Sequence, residues 1–206
     1  MNTERKIAQA LIKIGAISFP KDLITFKSGI KSPVYIDNRK FPFHPKEWTE
    51  VIKGFADVIK KNNINFDIIA GVEAAGIPHS SGLGFFLKMP SVFVRKQAKD
   101  HGTKKMVEGG EVVGKKVLLI EDVVSAGHSS LAAVSNLRAE GAVVNDCLII
   151  LSYGFRESKE EFEKAGVKLH MLTSFPVILE EVKRQGILKG DGLKTVEDWV
   201  SKHVVK

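Results

Sequence analysis

Cysteine is nearly missing: Cys147 is the only one in 206 residues, so no disulfide can form within the chain. That usage fits a reducing compartment, and a cytoplasmic location is the expectation. Cys147 sits inside the apolar run VVNDCLIIL, where a small buried hydrophobe is expected rather than a nucleophile. No apolar stretch approaches the ~20 residues that span a bilayer. The opening segment MNTERKIAQALIKIG carries Glu4 and lacks a signal-peptide cleavage pattern, so no membrane association is expected. Internal repeats, linkers and low-complexity segments are absent. The His residues show no metal-ligand spacing, which argues against a zinc site. No GxxxxGK[ST] occurs, which excludes a P-loop nucleotidase, and GLGFFL at Gly82 is only half of a dinucleotide fingerprint and does not follow a strand. Lys and Arg number 31 against 24 Asp and Glu, a net +7 that points to an anionic partner. A basic helix with interleaved aromatics is lacking, so a small polyanion is favoured over nucleic acid.

What is present is ordinary for one globular domain: 44% apolar and 27% charged residues. Thr3 to Ile14 has helical spacing with Gly15 as its stop, and Pro45 to Asn62 reads as a second helix whose Trp48 belongs to the core. Leu23 to Phe26 and Val34 to Asp37 read as short strands around the turn Lys27-Ser28-Gly29. From residue 66 the rhythm changes. FDIIAGV, SVFVR, KKVLLIED and VVNDCLIIL are apolar runs without alternation, as in strands buried on both faces. Between and after them lie helical candidates at Ile77 to Leu87, Ser129 to Glu140 and Ser158 to Ala165. VKLHML, Phe175 to Gln185 and a short helix Thr195 to Lys202 close the series. Strands alternating with helices predict an α/β fold with a central, mostly parallel sheet, preceded by a small hood over roughly residues 1–45. In such sheets ligands bind beyond the carboxyl ends of the strands.

The loops at those ends carry unusual chemistry. VLLIEDVVSAGHSS ends a strand in Glu121 and Asp122 and then turns through Val123, Val124, Ser125, Ala126, Gly127, His128 and Ser129 into a helix. Small residues at a helix N-terminus let backbone N–H groups close around a phosphate. Two carboxylates beside that cradle would repel a bare phosphate, but they suit a sugar phosphate whose diol they can accept from, with a divalent cation nearby. The string resembles the phosphoribosyl-diphosphate (PRPP) motif of the type I phosphoribosyltransferases. TFKSGIKSPVYIDNR, GVEAAGIP and VRKQAKDHGT resemble, in order and spacing, the orotate phosphoribosyltransferases of that family.

The resemblance implies a magnesium-dependent transfer of the phosphoribosyl group from PRPP to orotate, in pyrimidine biosynthesis, by a homodimer with shared active sites. It assigns PRPP to Lys27, which could also reach the orotate, and to Arg95, Lys96, Lys99, His101, Glu121, Asp122 and the loop through Ser129. Lys99 and His101 would lie on a mobile lid and act in catalysis with Asp122. Cations arriving on a lid stabilise the charge that builds on departing diphosphate. Val34, Tyr35 and Ile36 would flank the orotate, and Ser125 would contact it. No protein-only metal site is implied, since magnesium would bind through PRPP and water. In GVEAAGIP, small side chains leave main-chain contact with the diphosphate. One departure stands out: where many relatives carry an Asp-Arg pair whose Arg holds the orotate carboxylate, this chain has Ser152 and Tyr153, with Arg156 three residues on as the candidate. The rival readings are a purine or other base phosphoribosyltransferase and a PRPP-sensing regulator without catalysis.

Overall fold

The computed structural model describes residues 2–26, 29–97 and 105–204. Helix α1 (Thr3–Lys13) is capped by Asn2, whose side chain accepts from the Glu4 N–H, and it buries Ile7 and Leu11. Four two-residue strands follow: β1 (Ile17–Ser18), β2 (Ile24–Thr25), β3 (Lys31–Ser32) and β4 (Tyr35–Ile36). The two strands expected around the Lys27-Ser28-Gly29 turn do not pair with each other. β2 pairs with β3, while β4 pairs with β1, both antiparallel. The ladder breaks at Pro33, which has no N–H to give, and the Ser32 hydroxyl holds the redirected chain by donating to the Val34 carbonyl at 2.8 Å. A 3-10 turn, Asn38–Phe43, then leads into α2 (Pro45–Lys61).

β5 (Ile68–Val72), α3 (Gly76–Leu87), β6 (Ser91–Val94), β7 (Val107–Glu108), β8 (Lys116–Val124), α4 (His128–Ala139), β9 (Val143–Ser152), α5 (Arg156–Lys164), β10 (Lys168–Ser174), α6 (Phe175–Arg184) and α7 (Gly190–His203) follow in turn. This series alternates strand with helix apart from the consecutive strands β6 to β8 and the consecutive helices α6 and α7. The sheet runs β10-β9-β8-β5-β6-β7, parallel except for the β6–β7 edge pair. This is the expected α/β architecture. The continuous apolar runs have the expected cause, because both faces of the sheet are covered. Leu118, Ile120, Leu148 and Ile150 point into a core shared with α1, α2 and α6. Leu119, Cys147 and Ile149 point the other way, against Val134 and Leu137 of α4 and Phe162 of α5. Cys147 is fully buried, and loss of solvation pushes its thiol well above the ordinary range, as a packing residue requires. Among the described residues no helix is long and apolar enough to cross a membrane.

Beyond residue 62, β7 and the start of α7 exceed the sequence reading. β7 is too short to carry a period. α7 begins five residues before Thr195: the stretch Gly190 to Lys194 has two glycines and little apolar content, yet Leu193 packs against the core and secures the extra turn. At its far end Trp199 donates from Nε1 to the Lys31 carbonyl at 2.7 Å, tying the C-terminal helix to the N-terminal strands.

Chain order along the sheet reverses between β5 and β8, since β5 connects onward to β6 on one side while β8 lies on the other. The crevice beyond the carboxyl ends of β5 and β8 is therefore the topological switch point, where ligands bind in open α/β sheets.

Candidate active site

That crevice holds a two-lobed cleft. The first lobe, about 240 Å³, is lined by Glu73, Ala74 and Ala75 after β5, Lys96 after β6, and the run from Glu121 to Ser129 other than Val124. The second, about 230 Å³, shares Ala75, Asp122, Val123 and Ser125 with the first. Its own walls are Phe26, Tyr35, Ile36, Asp37, Arg39 and Tyr153. The two lobes share a wall, which sets a small-residue loop beside an aromatic slot.

The loop of the first lobe depends on Gly127. It caps α4 at φ +90°, a conformation that L side chains rarely adopt, and a Cβ there would lie 2.9 Å from the Phe162 ring. The turn opens the first helical N–H groups toward the cavity, and the hydroxyls of Ser125 and Ser129 border it. Close approach is also built into the floor. A Cβ on Gly76 would meet the Ile120 carbonyl oxygen at 2.5 Å, so α3 can lie against β8 only with glycine there. The glycines of GVEAAGIP therefore serve helix–strand packing: Gly71 and Gly76 face α3 and β8.

Electrostatics in this lobe are polarised. Glu121 is 4% exposed and Asp122 scarcely more. Burial first, then the Asp122 charge, hold the Glu121 carboxyl well above its ordinary range, and burial likewise raises Asp122. Compensation is thin. Glu121 accepts the Asp122 N–H at 3.2 Å and a long 3.5 Å contact from the Ser129 hydroxyl. Two desolvated carboxylates aimed into a cavity are groups awaiting donors or a cation. Across the lobe, Glu73 accepts the Lys96 N–H at 2.8 Å, which fixes the turn that brings Lys96 to the rim. Asn38, fully buried, donates to the Asp122 carbonyl at 3.0 Å and so joins the N-terminal segment to the strand end.

The aromatic lobe is rigid where it meets the core. The Tyr153 ring lies 5.0 Å from Phe26 and 5.7 Å from both Phe155 and Phe175, centroid to centroid. Burial drives its phenol well above the ordinary value, so the hydroxyl stays neutral. Tyr35 is partly exposed at the mouth, whereas Val34 and Ile36 turn into the core, although Ile36 still borders the lobe.

The expected site residues that the structure describes fall as follows. Lys96, Glu121, Asp122, Val123, Ser125, Ala126, Gly127, His128 and Ser129 converge on the first lobe, and Tyr35, Ile36 and Ser125 on the second. Val124 lines neither lobe; it is buried in the core that the sheet shares with α4 and α5. Arg95 is drawn elsewhere: its Nη1 lies 3.9 Å from Glu108, and its Nε donates to the Gln97 carbonyl at 3.1 Å. Arg156 opens α5 on the exposed surface and lines neither lobe. Lys27, Lys99 and His101 lie outside the described residues. Residues not anticipated are Glu73, Phe26, Asp37, Arg39 and Tyr153 as walls. The signal for Arg39 was present in VYIDNR, where Tyr35 and Arg39 stand four apart, but its contacts were not readable from spacing.

The phosphoribosyl transferase domain family matches residues 44–182. The orotate phosphoribosyltransferase of Listeria monocytogenes is 37% identical over 200 residues, covering 97% of this chain and 96% of that protein. Among solved structures, the orotate phosphoribosyltransferase of Aeropyrum pernix is 28% identical with a TM-score of 0.77, covering 86% of this chain and 98% of that one. UMP synthase of Leishmania donovani is 25% identical with a TM-score of 0.86; 97% of this chain is covered but only 42% of that larger one. By domain match and by near-full-length identity, the chain belongs to the phosphoribosyltransferase family, within its orotate phosphoribosyltransferases.

Proposed function

We propose that the chain catalyses the transfer of the ribosyl 5-phosphate group from PRPP to orotate, releasing diphosphate and orotidine 5′-monophosphate, in the cytoplasm and in pyrimidine biosynthesis. The observation that carries the reading is the two-lobed cleft. A phosphate cradle with buried carboxylates lies directly beside a flat aromatic slot, so sugar phosphate and base can meet at Asp122 and Ser125.

In this reading the loop from Ser125 to Ser129 takes the 5′-phosphate on backbone N–H groups and hydroxyls. Glu121 and Asp122 accept from the ribose diol. Lys96, with the main chain of Ala74 and Ala75, faces the diphosphate. Displacement forms the bond from orotate nitrogen to the anomeric carbon as the bond to the diphosphate oxygen breaks; the pair of electrons leaves with diphosphate, which also takes up the proton that the ring nitrogen loses. The sugar passes through oxocarbenium character with inversion. Carboxylates below the ring favour that positive charge, while Lys96 favours the charge on the leaving group. No covalent intermediate on the protein is needed.

A magnesium ion fits the donor set, because Glu121 and Asp122 are desolvated carboxylates without an ion-pair contact among the described residues. They would hold it through water together with the substrate's own oxygens. When bound it supplies charge neutralisation to the diphosphate. Lys27, Lys99 and His101, which lie outside the described residues, are assigned by resemblance to PRPP, the last two as groups of the leaving-group lid.

Homodimerisation belongs to the same proposal. Phe85 is 91% exposed, and Phe86 beside it is also exposed at the end of α3, an apolar outcrop that a second subunit would cover. The direct test of the function follows ultraviolet absorbance with a panel of bases, PRPP and magnesium. Orotate should be consumed only when both PRPP and magnesium are present. Turnover of adenine, hypoxanthine or guanine without turnover of orotate would overturn the reading.

A further inference from the structure

We infer that Arg39 is the residue that grips the carboxylate of the base, and that it sets the specificity of the aromatic lobe for a carboxylated pyrimidine; the inference rests on the orotate reading above. Among the described residues lining that lobe, Arg39 is the sole cation. Lys96 borders the other lobe, and Arg156 borders neither.

Its side chain is 61% exposed, but the guanidinium is tethered. Nε donates to Asp37 Oδ1 at 2.6 Å, and Nη2 donates to the Tyr35 hydroxyl at 2.9 Å. Asp37 is itself fixed twice: its N–H donates to the Ala16 carbonyl at 2.8 Å, and its carboxylate accepts the Arg39 N–H at 3.2 Å as the cap of the 3-10 turn. The Arg39 pair, hydrogen bond first, holds the Asp37 carboxyl below its ordinary range, so this support stays charged. Two anchors on one side of the fork fix the plane of the guanidinium. The opposite edge remains: Nη1 has no protein partner among the described residues, and Nη2 has a second N–H. Those two groups form the end-on pair that meets both oxygens of a planar carboxylate.

The arrangement also explains a use for Asp37 beyond capping. A lone Asp at this wall would repel an anionic base. Neutralised by Arg39, it instead orients the fork, and Tyr35 contributes its ring to the slot while its hydroxyl carries the second anchor. A ring that carries no carboxylate would leave the free edge of Arg39 facing only solvent, so the site gains little from uracil and much from orotate.

Equilibrium binding separates this role from others. The probes are orotidine 5′-monophosphate and uridine 5′-monophosphate, which differ only in the carboxylate, titrated calorimetrically into wild-type protein and Arg39→Gln. Loss of the charged pair should weaken binding of orotidine 5′-monophosphate roughly ten- to a hundredfold and leave uridine 5′-monophosphate within about twofold. Arg39→Lys should recover part of the difference, since it restores charge without the fork. The double variant Asp37→Asn/Arg39→Gln removes the exposed Asp37 charge and should retain the loss. If the double variant regains wild-type affinity, Arg39 merely screens Asp37 and the inference is wrong. Equal weakening of both nucleotides in Arg39→Gln, in a protein that consumes orotate, also overturns it while sparing the reaction. Failure of the wild type both to consume orotate and to bind its nucleotide would overturn the orotate reading itself, and this inference with it.

Discussion

Replacing Glu121 by Gln should make the protein more stable and less able to bind PRPP. The structure explains both halves. A carboxylate at 4% exposure has one hydrogen bond of 3.2 Å and one contact of 3.5 Å, with Asp122 as its neighbour. Burial and that neighbour raise its folded value well above the ordinary 4.5. Below pH 4.5 the group is protonated in both states and costs nothing. Above it the unfolded chain gains by ionising while the folded chain resists, so stability declines until the folded group ionises too. Each unit separating the two values is worth about 1.4 kcal/mol. A neutral amide of the same shape removes that penalty. A gain of about 1–2 kcal/mol is expected at neutral pH, with ~2–4 °C in Tm per kcal/mol for a chain of this size. The gain should vanish at pH 4. Thermal unfolding at the two pH values tests this, and calorimetric titration of PRPP tests the loss, expected at roughly ten- to a hundredfold because the amide cannot offer charged acceptors to the diol. A Glu121→Gln protein that is equally destabilised at pH 4 and pH 7.5 would refute the reasoning, since Glu121 would then be a structural acceptor rather than a carboxylate held at a cost for ligand.

Glu181 is the opposite case. Although only 1% exposed, it receives Arg184 at 2.6 and 3.0 Å, Gln9 at 3.0 Å and the Arg5 ion pair at 2.8 Å, and Arg184 foremost pulls its pKa down to about 2. Its contribution is therefore complete above pH 4.5 and lost as pH falls through about 2; Glu181→Gln should cost about 1–3 kcal/mol at neutral pH, measured by denaturant midpoint, and nearly nothing at pH 2. Gly76→Ala, with its Cβ 2.5 Å from the Ile120 carbonyl, should force α3 off β8 and cost about 1–3 kcal/mol while weakening PRPP binding at the adjacent carboxylates; an unchanged unfolding midpoint would contradict it. Lys99→Ala and Asp122→Asn chains, each inactive, should regain about a quarter of wild-type activity when unfolded together and refolded, if the two residues serve one site from different subunits. A silent mixture with hybrids verified would exclude the shared site.

By itself the sequence determined the sheet and the cradle. Apolar runs such as VLLI and CLIIL, set between helical stretches, read as strands covered on both faces, and small residues after a carboxylate-ended strand leave room for a ligand to approach the backbone. Helix limits were legible to within a residue or two where Gly15, Gly141 or Gly166 closed them. The base lobe was not legible. Tyr35, Asp37 and Arg39 come from the N-terminal segment, Tyr153 from the end of β9 and Ala75 from the turn after β5, and no local period links them. Which Arg lines the second lobe was equally a tertiary matter. Arg156 looked nearer in sequence to the expected place, but the helix it opens carries it to the surface, while Asp37 and Tyr35 hold Arg39 in the slot. Strand partners for Leu23 to Phe26 and Val34 to Asp37 were set by the break at Pro33, which leaves two separate two-stranded sheets, not by propensity. Local chemistry specifies what a residue can do; only the folded chain decides which neighbours make it do so.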